Sequence, residues 1–198
     1  DLHIHDAHFI RVLCGMPQAV FSTGRTRVAG AETRVAGAER RPRPGAPPVS
    51  SAAPPQTPGT RGTKEAVVDF INTQFLFADP QLSVTASSGV LYQQGRAFTH
   101  AFEIYLERAT LLFDFAVIDK QGVVAMPLTV LTADDRVLRP ELGSGDPIDG
   151  FVHEINEVTR AVESGKPSPL LDGNLARDAL LLCRRQCESV HARQLLPV

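Results

Sequence analysis

Residues 99–117 read THAFEIYLERATLLFDFAV, and this stretch decides the fold. Aromatic and β-branched residues interspersed with polar ones run from Thr99 to Tyr105, break at Leu106-Glu107-Arg108, and resume from Ala109. That is the pattern of two half-buried strands joined by a tight connection, hence antiparallel neighbours. The flanking segments behave alike: AVVDFINTQFLF (66–77), LSVTASS (82–88) and VVAMPLTVL (123–131), each bounded by Gly, Pro, Asp or Asn. Ala78-Asp79-Pro80 and Asp119-Lys120-Gln121-Gly122 are too short to hold a crossover helix, so the segments predict an antiparallel sheet.

Past residue 145 the period changes. Asp146-Pro147 has the form of a helix start, a capping carboxylate followed by proline at the first helical position. Ile148, Phe151, Val152, Ile155, Val158 and Val162 then recur at three- and four-residue spacing, and Gly165 ends the run. A last helix opens near Asp172 or Asn174 and carries Leu175, Ala179, Leu182 and Cys183 on one face. The expected architecture is α+β, an open, mainly antiparallel sheet with helices packed on one face. The opposite face would be covered by a second copy, so a homo-oligomer is expected.

The chain divides at two changes of composition. Residues 1–24 hold a short helix and a first strand; 65–198 hold the rest of the α+β body. Between them, 25–64 contains the heptapeptide TRVAGAE at 26–32 and again at 33–39, then RRPRPGAPPVSSAAPPQTPGTRGT with 7 of the 15 prolines. Such a tract cannot bury enough apolar surface to offset its ordering entropy, and it is expected as a disordered insert. Over the whole 198 residues, 20 basic and 22 acidic side chains give a net charge of −2, which argues against a nucleic-acid platform. No apolar run approaches the ~18 residues that span a bilayer. Three cysteines without disulfide-like spacing suit a reducing, cytoplasmic compartment, with export left open because any leader would lie upstream. The sequence opens at Asp1, without methionine and inside a helical pattern, and is read as a fragment.

Polar chemistry concentrates in DLHIHDAHFIRVLCG at the start. At ~100° per residue, Asp1, His5 and His8 lie within about 60° of one another, leaving Phe9, Val12 and Leu13 to point at the core. A carboxylate one turn before an imidazole can orient it and raise its proton affinity, which suits acid–base work on a hydroxyl or carbonyl. The same spacing also describes a capping aspartate beside a surface histidine.

Asp1-x-x-x-His5, the run DAHFIRVLCGMPQAVFS after it, the paired stretch THAFEIYLERATLLFDF, and FVHEINEVTRAVESGKPSPLLDGNLARDALLLCRRQCESV together resemble the C-terminal domain of the Gfo/Idh/MocA oxidoreductases. The likeness covers 1–24 and 65–198, and the insert departs from it. Asp1 and His5 match the last two named positions of the family's motif, whose glycines would precede residue 1. The resemblance implies an NAD(P)-dependent dehydrogenase of sugars, inositols or related polyols, with Asp1 and His5 as catalytic residues. NAD or NADP would be held by a preceding Rossmann domain, which also supplies a lysine for proton transfer. His8, Arg96 and His100, and Glu103 beside them, would line the substrate pocket. Gly143-Ser144-Gly145-Asp146-Pro147-Ile148 lacks the third glycine of a dinucleotide fingerprint, and SGKPS at 164–168 is no phosphate loop. No cofactor-binding or metal-binding residue is expected here, and the fragment alone is not expected to turn over.

Two alternatives belong to other classes. Asp1-Leu2-His3-Ile4-His5 also resembles the opening of metal-dependent hydrolases, in which His3 and His5 on a strand ligate a divalent metal. The third possibility is a module that serves only structure or dimerisation. Cys183 and Cys187, one turn apart, read as core thiols.

Overall fold

The computed structural model describes residues 3–28, 66–93, 95–141, 143 and 148–198. The chain runs α1 (His3–Cys14), β1 (Ala19–Val28), β2 (Ala66–Leu76), β3 (Ser83–Gly89), β4 (Arg96–Tyr105), β5 (Ala109–Ile118), β6 (Gln121–Thr132), β7 (Val137–Leu138), α2 (Ile148–Ser164), α3 (Gly173–Ala192) and β8 (Leu196–Pro197). The fold is α+β, and every strand pairing is antiparallel. The strands form two four-stranded ladders rather than one, in the orders β3-β2-β1-β8 and β4-β5-β6-β7. The chain leaves the first ladder after Gly89, where the Val90 amide donates to the Asp69 carbonyl, and enters the second at Arg96.

Alternation does the sorting in the first ladder. Val20 and Ser22 of β1 and Ile71, Thr73 and Phe75 of β2 are buried under the helices, while their sequence neighbours face away. The core is Ala7 and Ile10 of α1, Val20, Phe75, and Ala179 and Leu182 of α3. Ser22, Thr73 and Ser189 are paired inside it, whereas the buried Gln186 amide has no partner among the described residues. The Ser22 amide donates to Ser189 Oγ at 2.8 Å, Ser22 and Thr73 hydroxyls meet at 2.8 Å, and Ser189 Oγ donates to the Gln194 carbonyl at 2.6 Å. Gly24 lets α3 lie close: a Cβ there would stand 2.4 Å from the Phe70 carbonyl oxygen and 3.2 Å from Val190.

β1 continues through Arg25–Val28, past the boundary expected at residue 24, because Thr26, Arg27 and Val28 pair with Val68, Val67 and Ala66 after a bulge. The remainder of the proline-rich insert, 29–64, lies outside the described residues, as do residue 65, Asp146 and Pro147. α3 begins as expected, with Asp172 accepting from the Asn174 amide at 2.9 Å.

One expectation about packing is corrected. α1 and α3 lie on the first ladder, but α2 packs against no other helix or strand among the described residues. Its apolar stripe is written in the sequence; the sheet surface it was expected to cover is not beneath it.

Arg11 Nε donates to Asp178 Oδ2 at 2.9 Å and clamps α1 to α3. Hydrogen bonds from Arg177, and then from Arg11, hold the Asp178 carboxyl below the usual carboxylate range against the opposing effect of burial. A carboxylate whose native pKa is depressed stabilises the fold above its unfolded pKa and loses that contribution as pH falls through the native value. Asp178→Asn should therefore cost about 1.5–3 kcal/mol at pH 7, and the gap from the parent should close below about pH 4. Urea unfolding at the two pH values measures this; a gap that does not change with pH would assign the loss to shape rather than charge.

Candidate functional site

The candidate surface starts on α1. Ile4, Ala7, Ile10 and Cys14 recur at helical spacing and pack on the core with Cys183, Val84 and Ala86. Gly15, at φ 82°, ends the helix as its amide reaches back to the Arg11 carbonyl. This register corrects one expectation: Phe9, Val12 and Leu13 are exposed. Small Ala7 permits the closest approach to α3, so the face centred on it is the one buried.

His5 is exposed on the same face as Phe9, one turn later, and has no hydrogen-bond partner among the described residues. Asp1 lies outside the described residues, so its pairing with His5 does too. His8 is half-buried. The imidazole that the fold does engage is His3, which the site prediction passed over. Its Nδ1 hydrogen-bonds Ser88 Oγ of β3 and lies 3.5 Å from Asp6 Oδ2, while its Nε2 is buried without a partner among the described residues. The three-residue step from His3 to Asp6 was the signal available in the sequence.

Phe9 carries the surface across to the second ladder. Its ring centroid is 5.9 Å from that of Phe102 in β4. Phe102 stacks on Phe113 of β5 at 5.6 Å, Phe113 on His100 at 5.0 Å, and His100 stands 6.0 Å from Phe115 and 5.8 Å from Phe98. Alternation puts these rings on one face of β4–β5, with Val124 of β6 opposite Phe115. The fold thus brings Phe9 and His100, far apart in sequence, onto one aromatic surface, with His5 one turn before Phe9 on α1. Arg96 is exposed at the start of β4, where it donates to Thr99 Oγ1 at 2.7 Å. Glu103 has the opposite parity to His100 and accepts from the Tyr105 hydroxyl on the other face of the ladder, away from the aromatic rings.

The described residues hold no Rossmann-type dinucleotide site. Dinucleotide sites sit at the carboxyl ends of parallel strands, and every described ladder is antiparallel. Among the described residues no group of three or more His, Cys, Asp or Glu could hold a metal ion. The hydrolase alternative needs His3 and His5 on a strand, and both lie on α1.

The three thiols are partly buried, and Cys14 and Cys183 pack against the core. Burial pushes Cys183 up to about 11, with Cys187 and Asp6 adding to the shift, and burial also raises Cys14 and Cys187. At pH 8 about one Cys183 in a thousand would be thiolate, so a disulfide reagent should label it far more slowly in the folded chain than after unfolding in urea. Equal rates in the two states would contradict the buried assignment.

No protein-family model matches the sequence, and no curated protein matches it. Solved structures do. The chain aligns over its full length with the yvaA protein of Bacillus subtilis at a TM-score of 0.59 and 13% identity, covering 50% of that protein. An oxidoreductase from Agrobacterium radiobacter, solved with NAD+, L-tartaric acid and magnesium, gives 0.53 and 13%, covering 100% of this chain and 48% of its own. Aldose-aldose oxidoreductase from Caulobacter crescentus, solved with glycerol, gives 0.54 and 13%, covering 99% and 46%. The chain spans about half the length of these structures and shares their fold over that half.

Proposed function

We propose that this chain is the substrate-binding half of an NAD(P)-dependent oxidoreductase of the Gfo/Idh/MocA type, acting on a sugar or related polyol. The observation that carries the reading is the run of ring contacts from Phe9 of α1 through Phe102 and Phe113 to His100, with His5 one turn before Phe9 on the same helix face. Ligand sites are mostly apolar with a few placed polar groups, and a sugar ring offers both a C–H face for aromatic rings and hydroxyls for imidazoles. Half-length likeness to an enzyme solved with NAD+ and tartaric acid, and to an aldose-aldose oxidoreductase solved with glycerol, supports the same class.

In this reading His5 hydrogen-bonds the reacting hydroxyl and takes or returns its proton, Asp1 orients the imidazole or the substrate, and His100 with His8 holds the remaining hydroxyls, while Arg96 stays with Thr99 on the other face of β4. The nicotinamide, which accepts or supplies the hydride, is held by a preceding nucleotide-binding half with its own lysine. The isolated chain binds substrate and does not turn it over. The face of β4–β6 opposite the aromatic rings packs against a second copy, which makes the enzyme a homo-oligomer. Imidazole NMR signals followed during titration with aldoses and polyols test the binding. His5 and His100 should shift at up to about 100 mM ligand while His191 stays fixed. No shift, or a shift at His191 alone, would remove the sugar from this surface.

A further inference from the structure

The two ladders meet at few points. Among the described helices and strands, no strand of the first ladder packs on a strand of the second, and neither α1 nor α3 packs along β4–β7. The ring contact of Phe9 with Phe102 spans the gap, and the chain first crosses it between Gly89 and Arg96. The direction in which the chain leaves β3 therefore bears on where β4 stands against α1.

That exit is built around Asp69 of β2. Its carbonyl accepts from the Val90 amide at 2.8 Å. One carboxylate oxygen accepts from Arg25 Nε at 2.8 Å, and the other from the Tyr92 hydroxyl. Arg25 also donates to the Val90 carbonyl at 3.3 Å. The guanidinium carbons of Arg25 and Arg27 lie 5.0 and 5.2 Å from the centre of the Tyr92 ring, within cation–π range. The Asp69 side chain is 10% exposed and that of Arg25 48%, so the carboxylate is the covered centre of the cluster. Gly89 allows the close approach, since a Cβ there would stand 2.8 Å from the Asp69 carbonyl oxygen. At the far end of the crossing, the Asp119 amide of the β5–β6 turn donates to the Gly95 carbonyl at 2.9 Å.

Backbone pairing already closes β1, β2 and β3. A covered carboxylate with two side-chain donors adds nothing that the ladder itself needs; what it holds is the segment after β3, at Val90 and Tyr92. We infer that Asp69 is a positioning residue: by gathering Arg25 and Tyr92 it fixes the path of residues 90–92. It thereby sets β4, with Phe102 and His100, against Phe9 on α1. This setting does not depend on what the surface binds. Where the surface takes a polyol, as proposed above, the same clamp sets how far His5 and His100 stand apart.

Spin labels report the setting directly. In a chain with Cys14, Cys183 and Cys187 changed to alanine, one pair of labels goes on exposed Val123 of β6 and exposed Leu180 of α3. A control pair goes on exposed Leu13 of α1 and Leu180, both on the first ladder. Asp69→Ala should broaden the Val123–Leu180 distance distribution about two-fold and leave the Leu13–Leu180 distribution as it was. Tyr92→Phe, which removes one hydroxyl and no charge, should broaden the first distribution by less. An unaltered Val123–Leu180 width in Asp69→Ala would overturn the inference. So would an equal broadening of both pairs, which would show loss of the fold rather than of the setting. If Asp69→Ala does not fold, Tyr92→Phe decides alone, and an unaltered width there overturns the inference. Neither pair needs a ligand, so a failed polyol titration would leave this result standing.

Discussion

His5→Ala, made in the enzyme that joins this chain to its nucleotide-binding half, should lower kcat/KM by about 10²–10⁴-fold. The imidazole is exposed on α1 and bonded to no described neighbour, so its removal takes nothing from the core and the melting temperature should not move. On the proposed function, what it removes is the group that exchanges a proton with the reacting hydroxyl, and the shape of the pH–rate profile should change with the rate. His3→Ala sets the contrast. That ring is half-buried and bonded to Ser88, so its loss should show in stability first. An unaltered rate in His5→Ala would favour a module that only supports structure or dimerisation.

Phe75→Ala should cost about 3–5 kcal/mol, because a fully buried phenyl leaves both its transfer free energy and a cavity behind. Phe75 stands in β2 where α1 and α3 converge, among Ala7, Ile10, Val20, Ala179 and Leu182. Against a total stability of roughly 5–15 kcal/mol, the loss brings the domain near its unfolding threshold. Urea unfolding measures it, and Leu180→Ala, at an exposed position of α3, should stay within about 0.5 kcal/mol of the parent. A Phe75→Ala midpoint no lower than that of Leu180→Ala would mean that the core lies elsewhere.

Much of this fold was legible because its strands are long and their alternation is strong. Residues 99–107 and 109–117, read as strands, are β4 and β5 to within a few residues, and the short 119–122 connection does join antiparallel neighbours. What alternation cannot report is which strands pair, so the break between β3 and β4 into two ladders had no signal in the sequence. α1 shows the limit for helices. Ile4, Ala7, Phe9, Ile10, Val12 and Leu13 surround much of its circumference, so periodicity alone could not choose the buried face, and the smallest of these side chains decided it. In α2 the stripe itself was plain and its partner was not, since an amphipathic pattern specifies a face and never the surface that meets it.

The site was legible by residue type more than by geometry. His5 and His100 were singled out for their chemistry, and only the fold shows that ring contacts run from Phe9, one turn after His5, through Phe102 and Phe113 to His100. His3 was named only as a metal ligand of the hydrolase alternative, because its actual partner, Ser88, lies 85 residues away. Glu103 was grouped with His100 through nearness in sequence, yet three residues along a strand reverse the face.

The most direct test of the central claim is the absorbance of NAD(P)H at 340 nm, followed in the enzyme formed by this chain and its nucleotide-binding half. Aldoses and polyols are supplied in turn with NAD+ or NADP+. The account predicts nicotinamide reduction that saturates with at least one of these substrates and is abolished when this chain is left out. Reduction that persists without this chain, or none with any aldose or polyol, would contradict it.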